Sequence, residues 1–236
     1  MANTGLSIRT PKTIIDLTKN QIPEVIKQMG GIGVVKVPYG NCGDGVYTIT
    51  NQNELNRFLQ ADHYYSKFLV QSMVGDRSWD PKARLHDDNY YHIGTVPNEN
   101  NQVFVFDLRM VITSNENGFI PVSINGRRAR KPLIKDNLEN VNSWEILGTN
   151  LSVKVEKNTW DTESKRVLLM DSEEFAQLGL GLDDLIDGFI QTILSTIAID
   201  KFCDKILEGD NQPGEIKINY DKFKSFNSDD KLLQEF

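Results

Sequence analysis

The sequence predicts an α+β protein made of antiparallel sheets with helices packed on them. Three observations carry this reading. Val34 to Ile49 reads as an apolar strand, a turn holding Gly40, Gly43 and Gly45, and a second β-rich strand. Several β-rich segments follow one another in the middle of the chain, where Asn117-Gly118 between Ile112 and Phe119 is a strong hairpin signal. Leu185, Ile186, Phe189, Ile190, Ile193, Leu194 and Ile197 then form an i, i+3, i+4 stripe, the clearest helix of the chain and a predicted core helix on the sheet.

The elements can be justified in order. Thr10 to Thr13 open a short segment continued by Ile14, Ile15 and Leu17. Pro23 suits the first turn of a helix whose apolar face is Val25, Ile26 and Met29, and Gly30, Gly31 and Gly33 end it. After the glycine-rich turn, Asn51 with Glu54 three residues on starts a second helix, with Leu55, Phe58 and Leu59 on its buried side. Lys67 to Val74 reads as a strand, and residues 75 to 88 as a polar loop. Asn89 to Val96 and Gln102 to Thr113 read as strands joined by 97–101, and Phe119 to Ile124 as a strand ending at Asn125-Gly126. The pattern is weak from Lys131 to Arg166. Asp171 and Glu174 mark another helix start, and Ser225 to Phe236 reads as a loose tail.

Composition narrows the function. The formal net charge of −7 argues against nucleic acid or an anionic membrane as the main partner. No segment approaches a membrane span, and the first ten residues hold no apolar signal core. Cys42 and Cys203 are far apart and lack metal-ligand spacing, which points to a reducing, cytoplasmic setting. His63, His86 and His92 show no ligand spacing, and no nucleophile–base arrangement is evident.

Lys36 is the first candidate for chemistry. An unpaired ammonium in an apolar strand is costly, so it calls for an anion nearby. The loop after it, Gly40-Asn41-Cys42-Gly43-Asp44-Gly45, has few side chains to block main-chain donors and could fold over phosphates. The plainer reading is a hairpin with a charge on an edge strand. No G-x-x-x-x-G-K-[ST] run is present. Further along, Phe106-Asp107-Leu108-Arg109 places Asp107 and Arg109 on one strand face, either as a ligand-facing ion pair or as a surface pair. Arg127, Arg128 and Arg130 cluster after a strand in an otherwise acidic chain, as an anion site or a solvated basic turn. Alternation favours Arg128 and Arg130 on one face.

The order of these motifs, Lys36 and its flap, then Phe68 to Gly75, then Asp107-Leu108-Arg109, then Arg127 to Arg130, resembles the ATP-grasp superfamily over roughly residues 10 to 150. The resemblance implies a two-lobed fold with ATP between the lobes. A smaller α/β lobe would span 1–75, a larger antiparallel α+β lobe 76–224, and a tail 225–236. It matches Lys36 to the lysine on the α- and β-phosphates, and Gly40, Asn41, Gly43 and Gly45 to the flap. It matches Gln71, Ser72, Met73 and Val74 to the adenine hinge, where the family often has an acidic residue at the position of Gln71; Met73 also reads as a core-strand residue. Arg109, Arg128 and Arg130 become catalytic candidates on the phosphoryl and substrate side. Asp200, Glu215 and Asn219 become candidate Mg²⁺ ligands, although Glu215 and Asn219 depart from the family's Glu-x-Asn spacing. The implied activity is an ATP-dependent carboxylate–amine ligase forming an acyl-phosphate on a small-molecule or peptide carboxylate. The alternative is a non-catalytic nucleotide-binding domain or a fragment of a larger enzyme. The family's second ATP lysine and preceding substrate domain have no counterpart upstream of Lys36, so the chain reads either as the ATP-binding portion of a longer protein, with an upstream domain missing from this chain, or as a natural protein that lacks that domain.

Overall fold

The structure, a computed structural model, describes residues 7–40, 43–74, 94–134, 138–156, 159–208, 217–226, 229, 231 and 234. Its architecture is mixed α+β with antiparallel sheets. The first part consists of β1 (Thr13–Thr18), α1 (Ile22–Gln28), β2 (Gly33–Lys36), β3 (Val46–Ile49), α2 (Gln52–Gln60) and β4 (Lys67–Gln71). The strands form one antiparallel sheet in the order β1-β4-β2-β3.

Local chemistry explains these elements. Pro23 sits in the first turn of α1, where its missing N–H is not needed, and Gly30 and Gly31 end the helix at φ of 87° and 88°. The Asn51 side chain caps α2 by accepting from the Glu54 N–H at 2.9 Å. Alternation along β2 and β4 turns Val35, Phe68 and Val70 to one face, where Ile22, Val25 and Ile26 of α1 and Leu55 and Phe58 of α2 cover them. Phe58 and Val35 are essentially fully buried, and each such side chain contributes roughly 1.5–3 kcal/mol of transfer free energy. The same alternation puts Val34, Lys36, Leu69 and Gln71 on the opposite, half-buried face.

The second part holds β5 (Phe106–Asn115), β6 (Gly118–Arg128), α3 (Ser143–Leu147), β7 (Ser152–Glu156), β8 (Thr159–Thr162), β9 (Val167–Leu168), α4 (Ser172–Leu178), α5 (Leu182–Ile206), β10 (Leu207–Glu208), β11 (Lys217–Ile218) and α6 (Tyr220–Phe226). β5, β6 and β9 make a three-stranded antiparallel sheet, and β7–β8 and β10–β11 pair separately. The hairpin predicted at Asn117-Gly118 does join β5 to β6, but its turn residues are Glu116 and Asn117; Gly118, at φ 112°, already opens β6 opposite Asn115. Asn125-Gly126, predicted to end the strand, instead continues it to Arg128. Gly126 lies opposite Leu108, and a Cβ there would sit 3.3 Å from the Leu168 Cβ. This glycine admits the close approach of β9 rather than a turn. β5 begins at Phe106, not Gln102; before it lies the isolated Gly94–Val105 bridge. Residues 89–93 lie outside the described residues.

α4 is capped by Asp171, whose carboxylate accepts from the Glu173 and Glu174 N–H groups. α5 packs on β5, with Met110 facing Gly188. Its predicted core stripe is only partly covered: Leu194 is buried, but Ile186 is 48% and Ile190 36% exposed. Among the described residues, no helix is long and apolar enough to cross a membrane.

Contacts of long sequence range tie the parts together. The Thr48 and Ser143 hydroxyls lie 2.5 Å apart, and the Ser143 N–H donates to Glu54 at 2.9 Å, so α3 docks at the start of α2. Arg9 pairs with Asp187, and its N–H donates to Gln191 of α5. The stretch read as a loose tail contains Asp229, which is 2% exposed. Its carboxylate accepts from the N–H groups of Ser66 and Lys67 at 2.9 and 2.8 Å.

Candidate functional site

Lys36 ends β2 on the half-buried sheet face, opposite Leu69 of β4 and Val46 of β3. Its ammonium donates to the Gln71 Oε1 at 2.5 Å, and the Gln71 amide donates in turn to the Thr13 hydroxyl at 2.9 Å. Among the described residues the ammonium meets no carboxylate. Burial lowers its pKa from the ordinary lysine value. A neutral amide therefore orients a cation that has no compensating carboxylate among the described residues. Gln71, expected at an adenine edge, has both ends of its amide engaged, one of them on Lys36. Ser72 extends the sheet by donating its N–H to the Lys12 carbonyl, Met73 is half-buried, and Val74 is exposed.

The glycine turn closes on itself just beyond Lys36. The Val37 N–H donates to the Gly45 carbonyl at 2.9 Å. Gly45 lies at φ 71°, and a Cβ on it would fall 2.2 Å from a Val37 methyl; one on Gly40 would fall 2.7 Å from the Asp44 carbonyl oxygen. Gly43, at φ 81°, is crowded by Asn150 and Trp144, each 3.0 Å from where its Cβ would stand. The turn thus leans on the segment that follows α3. Asn41 lies outside the described residues.

That same segment leads to the arginines. Asp107 and Arg127 are paired across β5 and β6, and the Arg127 guanidinium binds both Asp107 oxygens, with Nε at 3.0 Å. Thr149 donates to Asp107 at 3.1 Å, and Arg109 approaches it at 3.6 Å with its side chain 57% exposed. Asp107 therefore collects two guanidiniums and a hydroxyl on one sheet face, and the hydroxyl belongs to Thr149, the residue before the Asn150 that abuts Gly43.

Arg128 points to the other face. Its guanidinium lies 5.0 Å from the Phe104 ring centre. Arg130, past the end of β6, binds Glu163 at 3.1 Å and Glu145 at 2.5 Å. Burial would raise the Glu163 pKa, but hydrogen bonds from Arg130 and Arg166 outweigh it and hold the carboxyl below its ordinary value. Arg166, buried, also donates to the carbonyls of Arg128 and Asn150. Sequence reasoning missed Arg166, Glu163, Glu145 and Thr149; they lie in the stretch of weak periodicity, where no spacing announces a network.

The magnesium candidates are not brought into one described group. Asp200 lies on an exposed position of α5, Asn219 accepts from the Lys222 N–H at 2.8 Å as the cap of α6, and Glu215 lies outside the described residues. Among the described residues, no three His, Cys, Asp or Glu side chains gather as a metal-holding group. The Asp107 carboxylate remains a hard oxygen donor beside the arginines. Comparison with known proteins finds no matching family model, no matching curated protein and no matching solved structure.

Proposed function

We propose that the chain binds ATP with Mg²⁺ between an ATP-grasp-like pair of lobes, 1–75 and 76–224, and acts as a carboxylate–amine ligase through an acyl-phosphate. The observation that carries this is Lys36, a half-buried ammonium oriented by Gln71 and facing no described carboxylate. A polyphosphate would supply the missing anion. The glycines are required by the turn's own packing, because a side chain at Gly45 or Gly40 would collide with Val37 or the Asp44 carbonyl. The main-chain N–H groups of this turn would lie over the phosphates.

ATP would supply the phosphoryl group that activates a carboxylate of a small molecule or peptide. Lys36 would hold phosphate, and the Asp107-braced Arg109 would offset charge on the transferring group. The protein's part is positioning and charge neutralisation, in keeping with the lack of any nucleophile pattern in the sequence. Free Cys203 and the use of ATP suit the cytoplasm. A non-catalytic nucleotide-binding role is the second reading. It is favoured by the pairing of Arg127 and Arg130 with carboxylates, which leaves less free cationic charge for a reacting phosphate.

The test is calorimetric titration with ATP and magnesium, followed by an ADP-release assay over amino acids and short peptides. Lys36→Ala should weaken ATP binding by about 1.5–3 kcal/mol, the worth of a charge-assisted hydrogen bond, with the melting profile retained. An unchanged isotherm sinks the assignment. Binding without turnover selects the second reading.

A further inference from the structure

A cavity of about 630 Å³ opens on the face of β6 away from Asp107, between the 95–104 turn and α4. Its size is that of a small-molecule site, roughly 300–1,000 Å³. Arg128 lines it, stacked on Phe104. The neighbouring arginines 109, 127, 130 and 166 each have a carboxylate within ion-pair distance, and Arg128 alone of the five has none among the described residues. Its backbone is fixed by Arg166, which donates to the Arg128 carbonyl at 2.7 Å. An aromatic face pre-orients the guanidinium, and its planar fork is left to bind a carboxylate bidentately.

The walls are prebuilt. The Val96 N–H donates to the Gln177 carbonyl of α4 at 2.7 Å, and the Asn98 side chain accepts from the N–H groups of Asn100 and Gln102. The lining pairs one cation with the two carboxylates of Glu99 and Glu173 and with apolar Val96 and Leu168. Two acidic groups at the rim disfavour a doubly charged phosphate. They suit a ligand that carries an ammonium as well as a carboxylate.

We propose that this cavity is a binding site for a zwitterionic ligand, a free amino acid or short peptide with an apolar side chain, its carboxylate on Arg128 and its ammonium beside Glu173. The site is separate from Lys36 and does not rest on the nucleotide reading.

The experiment titrates the full chain, without nucleotide, with phenylalanine, 3-phenylpropionate and inorganic phosphate, following backbone amide shifts. Phenylalanine should bind, and shifts should centre on residues 95–104 and α4. Arg128→Lys, which keeps charge but not the fork, should weaken phenylalanine about tenfold. Glu173→Gln, at an exposed position, should weaken phenylalanine but leave the much weaker 3-phenylpropionate unchanged. Three results overturn the proposal: no shifts by about 10 mM phenylalanine in a folded protein, a tiny affinity on the scale of metabolite sites; shifts that Arg128→Lys leaves unchanged; or phosphate binding more tightly than phenylalanine at the same residues.

Discussion

Lys36 is set apart from the other lysines by its surroundings more than by its place in the sequence. Burial lowers its pKa, so the folded chain loses this proton at lower pH than the unfolded chain does. In the alkaline window between its folded value and the ordinary lysine value, the unfolded state binds more protons. The cost of burying this ammonium is therefore full below that window and relieved as pH rises through it. Competitive acylation should show Lys36 reacting as a free amine below the ordinary lysine range, and saturating ATP should shift its profile back upward. A profile at the ordinary lysine value counts against the burial. The sequence made Lys36 legible because a charge inside an apolar strand is conspicuous. It did not reveal Gln71 as its partner, because the two are joined by strand register, Val34 opposite Gln71, and register is not written in spacing. The arginines show the same limit. Alternation found Asp107 and Arg109 together, but Arg127 joins them only through cross-strand pairing, and Arg128 and Arg130 part company because β6 ends between them.

At the scale of elements, the turn between β2 and β3 depends on its glycines. Gly45→Ala must hold a Cβ at φ 71° against a Val37 methyl, whereas Gly30→Ala at φ 87° meets nothing within 4 Å. Thermal unfolding should show Gly45→Ala destabilised by about 2–4 kcal/mol and Gly30→Ala by about 1–2 kcal/mol, since the left-handed conformation alone accounts for the smaller figure. Equal losses would mean the Val37 contact is absent. Helix α1 was readable from Pro23 and its apolar spacing, α2 from its cap and apolar spacing together, and the start of α4 from Asp171 and Glu174. β6 was misread at Asn125-Gly126 because the dipeptide favours a turn, while the approach of Leu168 decides otherwise. α5 was read as a core helix from seven apolar positions, yet periodicity reports an apolar side and not what covers it. Ile186 and Ile190 stay exposed.

At the scale of the whole molecule, Asp229 joins residues far apart in sequence. Asp229→Ala removes the acceptor of three backbone donors, Ser66, Lys67 and Lys231, and should cost about 2–4 kcal/mol, read as a fall in the urea midpoint. Asp229→Asn keeps an acceptor oxygen and should lose less. Equal midpoints for wild type and Asp229→Ala would remove the contact from the account. Nothing in the polar run from Ser225 onward distinguishes this aspartate from its neighbours, because its role is fixed by the amides of Ser66 and Lys67.

The same contact sets an order of events during synthesis. Ser66 precedes Asp229 by 163 residues. At roughly 5–20 residues per second, the ribosome delivers the acceptor on the order of ten seconds after β4 has been made. Through that interval the first sheet must hold its shape with the two amides at the start of β4 lacking their Asp229 acceptor. A message that stops short of Asp229 would release a chain with the Lys36 strand complete and its neighbouring strand permanently unlatched at one end.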